Sequence, residues 1–340
     1  MTITVNGAVK RLGLAMSGGG FRAAAFHLGV MRKLDAMGLL DKLDLVSCVS
    51  GGSIAGATLV ADWPQPARAL ETLEKYLRTR SIAVSSVIGG MLDPFESRLD
   101  KLAASYAHDL FGDRSLSSLA NGPRVYFNAT NLATGNMFSF VAGGTKPAEM
   151  GDYELGFVDA PAFRISRAVA ASSAFPPVFP PLRLGPDEYP PGESVEYVTL
   201  TDGGIYDNMG VNPTLRRTRN PLDYVIISDG GKPFAIDERP TESGSIVLKA
   251  ALDIMMEQIR GLEFDRLQHR HLAKLGAVPM WFSIDSRIGE AQPGDASYAA
   301  AIPTNLTKLS DDEMAVLVRH GGALLAARIA QYAPELQNAG

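Results

Sequence analysis

Two segments of this 340-residue chain repeat one local plan. Leu14-Ala-Met-Ser-Gly-Gly-Gly-Phe-Arg22 and Val46-Ser-Cys-Val-Ser-Gly-Gly-Ser53 each read as an apolar strand that runs into a glycine turn and opens a helix. The first turn can present successive backbone N–H groups to a negative charge. The second sets one serine, Ser50, between strand and helix with glycines behind it. An anion cradle and a nucleophile are the two parts that acyl transfer needs.

Around these segments strand-like runs alternate with helical ones. Residues 11–17, 44–49, 124–130, 137–142, 197–201, 224–228 and 278–284 read as strands, and residues 22–37 and 53–60 as helices. Asn131-Leu-Ala-Thr-Gly135 is a turn-rich link between two of the strands. The alternation predicts an α/β fold with a mainly parallel central sheet and helices on both faces. Residues 66–119 interrupt it as a largely helical insertion broken at Asp93-Pro94, whose Val84, Val87, Ile88, Met91, Leu92 and Phe95 are placed to cover a cleft. The proline-rich residues 175–191 predict loop. A polar loop over 237–244 precedes a helix at about 245–275, in which Leu248, Leu252, Met255 and Ile259 share a face. A last helix is expected at about 311–332, with Asp311-Asp312-Glu313 in its first turn. Neither repeats nor low-complexity linkers divide the chain, so residues 1–340 are expected to form one domain, its core motifs lying at about 11–233.

Hydrophobic residues make up 46% and charged residues 20%, enough for a sizeable core. The net charge of -5 leaves no basic footprint, so nucleic acid is not an expected partner. A single cysteine, Cys48, rules out an internal disulfide and fits a reducing compartment. The N-terminus has no apolar signal region and no uncharged run is long enough to cross a bilayer. A cytoplasmic protein is therefore expected, although signal-independent export leaves no trace in a sequence. No His, Cys and Asp cluster has metal-ligand spacing, so neither a metal nor a cofactor is expected.

Ser50 sits in Cys48-Val-Ser-Gly-Gly52, which departs from the Gly-x-Ser-x-Gly elbow only in carrying Cys48 at the first glycine, itself a small residue. The plainer reading is a helix N-cap serine. Gly18, Gly19 and Gly20 offer amides to an oxyanion, and Arg22 either adds charge or locks the loop. The same loop fits a relaxed dinucleotide fingerprint, Gly18-x-Gly20-x-x-Ala23, which needs an acid at the end of the second strand. Asp41 and Asp44 precede or begin that strand, and Ser50 occupies its far end. Asp202, in Leu200-Thr-Asp-Gly-Gly-Ile-Tyr-Asp-Asn-Met-Gly210, leaves a strand for a glycine turn, so its carboxylate is expected at the sheet edge that carries Ser50. There it either accepts the serine proton or caps its own turn. Asp229-Gly230-Gly231 repeats the pattern, and spacing alone does not separate the two. A Ser–Asp–His triad would draw on His269, His271 or His320, all in helical, charge-rich segments; His27 and His108 complete the five.

Taken in order, four of these segments resemble the patatin-like phospholipase family. Residues 18–22 resemble its oxyanion loop, and Ser50-Gly-Gly-Ser53 its nucleophile elbow. Ala170-Ala-Ser-Ser-Ala-Phe-Pro-Pro-Val-Phe-Pro180 resembles its Ala/Ser-rich segment, and Asp202-Gly203-Gly204, continuing through Asn208 and Gly210, its aspartate motif. Asn128-Ala-Thr-Asn-Leu-Ala-Thr-Gly135 is similar to a strand–turn unit common there. The resemblance spans about residues 11–233. It implies a three-layer α/β/α sandwich and a Ser–Asp dyad. Ser50 would attack an ester carbonyl and carry the acyl group, with Asp202 as base for Ser50 and then for water. Gly18, Gly19, Gly20 and Arg22 would hold the oxyanion, Cys48, Gly51 and Gly52 would shape the elbow, and Gly203 and Gly204 the aspartate turn. The implied substrates are fatty-acyl esters of phospholipids, lysophospholipids or neutral glycerolipids; residues 66–119 would help form the acyl-chain pocket and touch the membrane surface transiently, or else serve as ordinary core packing. The rival expectations are a Ser–Asp–His esterase, a lipid-binding module without turnover and a dinucleotide-dependent oxidoreductase.

Overall fold

The computed structural model of the chain describes residues 3–82, 98–190, 194–234, 236 and 243–338. A short hairpin, β1 (Ile3–Val5) and β2 (Ala8–Lys10), precedes the main sheet. That sheet takes β3 (Leu12–Met16), β4 (Leu43–Val49), β5 (Arg124–Asn131), β6 (Met137–Ala142), β7 (Glu149–Asp152) and β8 (Gly156–Asp159), then β9 (Leu182–Leu184), β10 (Val198–Asp202), β11 (Tyr224–Asp229) and β12 (Val278–Ser283). Its spatial order is β12-β11-β3-β4-β5-β6-β7-β8. From β12 to β5 the strands are parallel. β3 and β11 are buried along their whole length, as strands covered on both faces must be.

Helices supply that cover: α1 (Gly20–Ala36), α2 (Gly51–Ala61), α3 (Pro66–Thr79), α4 (Arg98–Tyr106), α5 (Ile165–Ser172), α6 (Gly204–Asp207), α7 (Gly244–Leu272), α8 (Asp295–Ala301) and α9 (Asp311–Tyr332). Successive strand residues point to opposite faces. Leu12, Leu14 and Met16 accordingly join a core with α1, α2 and α9, whereas Ala15 joins Val225, Ile227 and Leu267 of α7 on the other side. Two glycines let α1 and α9 cross closely. A Cβ at Gly29 would lie 2.1 Å from the Val318 carbonyl oxygen, and one at Gly321 2.4 Å from that of Phe26. The start of α9 is fixed by a capping box between Ser310 and Glu313.

The α/β architecture expected from the sequence is present, and the sheet divides into two halves. Beyond β5 it is antiparallel, through β6, β7 and β8, because residues 131–135 reverse the chain too quickly for a crossover helix. The stretch 175–191, expected as loop, contains β9: Leu182 and Leu184 are buried around exposed Arg183, and the strand pairs with β10. Of the insertion at 66–119, α3, α4 and the turns up to Leu119 are helical as expected. Its apolar group from Val84 to Phe95 and the Asp93-Pro94 break lie outside the described residues. No helix among the described residues is long and apolar enough to cross a membrane.

One detail of register decides where the two halves of the sheet meet. An edge of β5 pairs with β6 along residues 125–130. The opposite edge takes β4 beside residues 124–128 and then β10 beside residues 129–131. β4 and β10 therefore run head-on in one lane. Val49 is opposite Asn128 and Asp202 is opposite Ala129, so the two strands end against each other.

Candidate active site

Ser50 is the single residue between β4 and α2, and its backbone is held at φ 50° and ψ -115°. An L-residue costs about 1–3 kcal/mol there, a strain that the surroundings must enforce. They do so by contact. A Cβ at Gly51 would lie 2.3 Å from the Gly20 carbonyl oxygen, and one at Gly52 2.3 Å from that of Met16. Only glycine lets the elbow press this closely on the first glycine turn. The Ser50 N–H donates to Ser172 Oγ at 3.0 Å, and Ser172 donates onward to the Asn128 carbonyl at 2.6 Å. Ser172 has spent its one proton, so Ser53, 2.8 Å away, donates to it. Cys48 fits at the first elbow position because Gly56 faces it: a Cβ there would fall 2.2 Å from Cys48 Sγ. Burial pushes this thiol far up, which leaves it an inert packing group.

Asp202 closes β10 and is 2% exposed. Its Oδ1 accepts the Gly204 N–H at 2.7 Å. Burial raises its pKa to about 7, and the Gly204 N–H and the neighbouring Ser50 side chain hold it from rising further. A carboxylate so placed is half ionised near neutrality, which suits a general base. The backbone is tied on both sides: Asp202 N–H donates to Ala174 O at 3.1 Å, and Thr130 Oγ1 donates to Asp202 O at 2.9 Å. Gly203 is required by space, since a Cβ there would meet the Asn128 carbonyl oxygen at 2.2 Å.

The first glycine turn lies against this pair. A Cβ at Gly18 would be 3.2 Å from Ser50 Cβ and 2.4 Å from Asn208 Oδ1. The four groups expected to face an oxyanion separate into two kinds. Gly18 N–H already donates to Asn208 O at 3.0 Å. Arg22 is fully buried and its guanidinium donates to Ile302 O at 2.9 Å and Gly230 O at 3.1 Å, so it locks the loop from behind. Burial lowers its pKa to about 10, with Asp229 opposing the shift. Gly19 and Gly20, at φ 135° and 62°, have N–H groups without a partner among the described residues. Gly20 is also the first residue of α1, where the helix dipole favours negative charge.

The remaining candidates stand apart. Asp229 is buried against Arg260, whose Nε donates to it at 2.6 Å, and its Oδ1 accepts the Gly231 N–H. His27 is buried between Ser228 Oγ and Ser17 O, and burial lowers its pKa to about 4. His320 is buried on Ile284 O, His108 pairs with Asp109, and His269 and His271 are exposed on α7. None of these contacts involves Ser50 or Asp202. Asp44, a candidate acid for the dinucleotide reading, accepts Leu12 N–H at 2.8 Å near the opposite edge of the sheet from Ser50. Among the described residues no group of three His, Cys, Asp or Glu could hold a metal.

Two supports went unread in the sequence. Ser172 and Asn128 both lie in segments carrying a family resemblance, yet nothing in their spacing shows that they meet beneath Ser50. Asn208, read in the sequence as part of the aspartate motif, has its amide wedged among Gly18, Gly204 and Gly231, where a Cβ would lie 2.4, 2.7 and 2.9 Å from it.

The family model for patatin-like phospholipase matches residues 14–215, more than half of the chain. Human GIVD cytosolic phospholipase A2 is similar in structure with a TM-score of 0.62 at 15% identity, over 97% of this chain and 62% of that one. The same human protein, in complex with methyl gamma-linolenyl fluorophosphonate inhibitor and terbium chloride, gives 0.59 at 14% identity, over 97% and 59%. At such identities the likeness is one of fold. The chain spans about three fifths of the length of these structures. No curated protein matches it.

Proposed function

The chain belongs to the patatin-like phospholipase family, and from that premise we propose that it is a serine acyl hydrolase of lipid esters working through Ser50 and Asp202. The observation that carries this reading is the buried Asp202 carboxylate beside Ser50, where β4 and β10 end against each other on neighbouring rungs of β5. Ionised Asp202 takes the proton as Ser50 Oγ adds to the ester carbonyl. The oxyanion is met by the open Gly19 and Gly20 N–H groups at the α1 terminus, groups already oriented before the charge forms. Collapse breaks the ester C–O bond, the alcohol leaves with the proton held by Asp202, and the acyl group stays on Ser50. Water then gives its proton to Asp202 and adds to the acyl carbonyl. The second collapse frees the fatty acid and returns the proton to Ser50. No histidine takes part.

A fluorophosphonate probe, which traps activated serines, tests the reading. Peptide mapping should find the adduct on Ser50 and none on Ser50→Ala, and that variant should keep its melting temperature but lose lipid-ester turnover. Turnover surviving in Ser50→Ala would overturn the proposal. Lipid binding without turnover by the native chain would turn it into a binding module.

A further inference from the structure

The helix α7 is much longer than the strands it connects. Its 29 residues extend about 43 Å at 1.5 Å per residue, whereas six-residue β11 and β12 extend about 20 Å. Arg260 ties the helix to Asp229, the last residue of β11. The sixteen residues before Arg260 therefore reach about 24 Å past that end of the sheet. This is the edge at which β4 delivers Ser50, and Met256 overhangs it: its Cε lies 3.2 Å from where a Gly204 Cβ would be. The overhang buries little of its apolar surface. Leu248 and Met255 are 73% and 61% exposed, and their spacing of seven residues puts them on one side of the helix; Ile254, 48% exposed, flanks Met255.

The same edge carries three more exposed apolar side chains from three other segments. Leu132 follows β5, Phe234 follows β11 and Ile288 follows β12, the last 76% exposed. Exposed cations, Lys232 and Arg287, stand beside Phe234 and Ile288. Exposed apolar side chains with neighbouring cations, contributed by separate strand ends at one edge of the sheet, have the make-up of a surface that lies in a lipid headgroup region.

We infer that the α7 overhang and these side chains dock the chain on a lipid bilayer with the Ser50 edge facing the membrane. The inference rests on the acyl-hydrolase reading, which places the substrate in that phase. A second copy of the chain is the competing occupant. Four segments gathered at the sheet edge that carries the nucleophile favour the bilayer, because a copy seated there would close the site against its own substrate.

The test uses the turnover-free Ser50→Ala chain and vesicles of phosphatidylcholine with phosphatidylglycerol. It should cosediment with them, and adding Leu248→Glu or Met255→Glu should weaken partition at least about tenfold, since burying one such side chain contributes about 1.5–3 kcal/mol. With Ser50 intact, the same Glu variants should hydrolyse a water-soluble short-chain ester at the native rate and lose hydrolysis of vesicle lipid. Equal vesicle binding by the Glu variants overturns the docking face. So does a native dimer in solution that these variants convert to monomers. If the native chain hydrolyses no ester at Ser50, the acyl-hydrolase reading fails, and the Ser50→Ala binding comparison still decides whether the face docks on lipid.

Discussion

Asp202→Asn should abolish the proposed ester hydrolysis and stabilise the protein, and the second effect should depend on pH. An unfolded aspartate titrates near 3.8, whereas burial raises Asp202 to about 7 in the folded chain. Between these values the folded state holds a proton that the unfolded state releases, so stability falls as pH rises and levels off above about 7. At about 1.4 kcal/mol per pH unit, the full penalty is about 4 kcal/mol. Asparagine removes it while keeping an oxygen for the Gly204 N–H, which Asp202 now accepts at 2.7 Å. With an unfolding entropy of about 2.1 cal/mol/K per residue, a cooperative transition of 340 residues shifts by about 6 °C. Thermal melts should therefore place Asp202→Asn about 6 °C above the native chain at pH 8 and level with it at pH 4. Ester hydrolysis should fall by about 10²–10⁴-fold, the range for loss of a general base. A stability difference that is the same at both pH values would refute the reasoning, because burial would then not be what holds the carboxyl neutral.

As the proposed base, the same carboxylate should set the rate profile: kcat/KM for a soluble ester should rise about tenfold per pH unit up to about 7 and then level off, and a profile already flat above pH 5 would remove Asp202 as the base. Gly18→Ala should lower kcat by about 100-fold, because its Cβ would arrive 2.4 Å from Asn208 Oδ1 and 3.2 Å from Ser50 Cβ and displace the elbow; unchanged kinetics would mean that the two turns are not coupled. Tyr106→Phe should stabilise the fold by about 1 kcal/mol in denaturant titration, since it deletes a buried hydroxyl that has no partner among the described residues. Lower stability in that variant would show that the hydroxyl is bonded.

Local chemistry was legible where one short segment specified it. Gly51 and Gly52 behind an apolar strand pointed to an elbow at Ser50, although the backbone that forbids a Cβ there, Gly20 and Met16, lies more than thirty residues back. The choice between Asp202 and Asp229 was not legible from their spacing. It turns on Arg260, 31 residues beyond Asp229, which pairs with that carboxylate, and on the register that puts Asp202 beside Ala129. Arg22 was equally ambiguous, since whether a guanidinium faces a loop's front or back depends on Ile302, 280 residues away. The parallel strands declared themselves as buried apolar runs. β7 and β8 did not, because Glu149 to Asp152 and Gly156 to Asp159 lack both an apolar run and an alternation strong enough to read. Cys48 departs from the usual elbow glycine, and its compensation, Gly56, lies one helix turn beyond where the elbow pattern ends.

Because β4 and β10 are both pinned to β5, the spacing of Ser50 and Asp202 is set by neighbouring rungs at residues 128 and 129. The length of chain between them has no part in it. Surface segments in that interval, such as the turn at residues 143–147, can be lengthened at about 0.6 kcal/mol of closure entropy per doubling. A scaffold of this kind separates the placing of two side chains from the segments that cover them: the covering loops can change length while Ser50 and Asp202 keep their register.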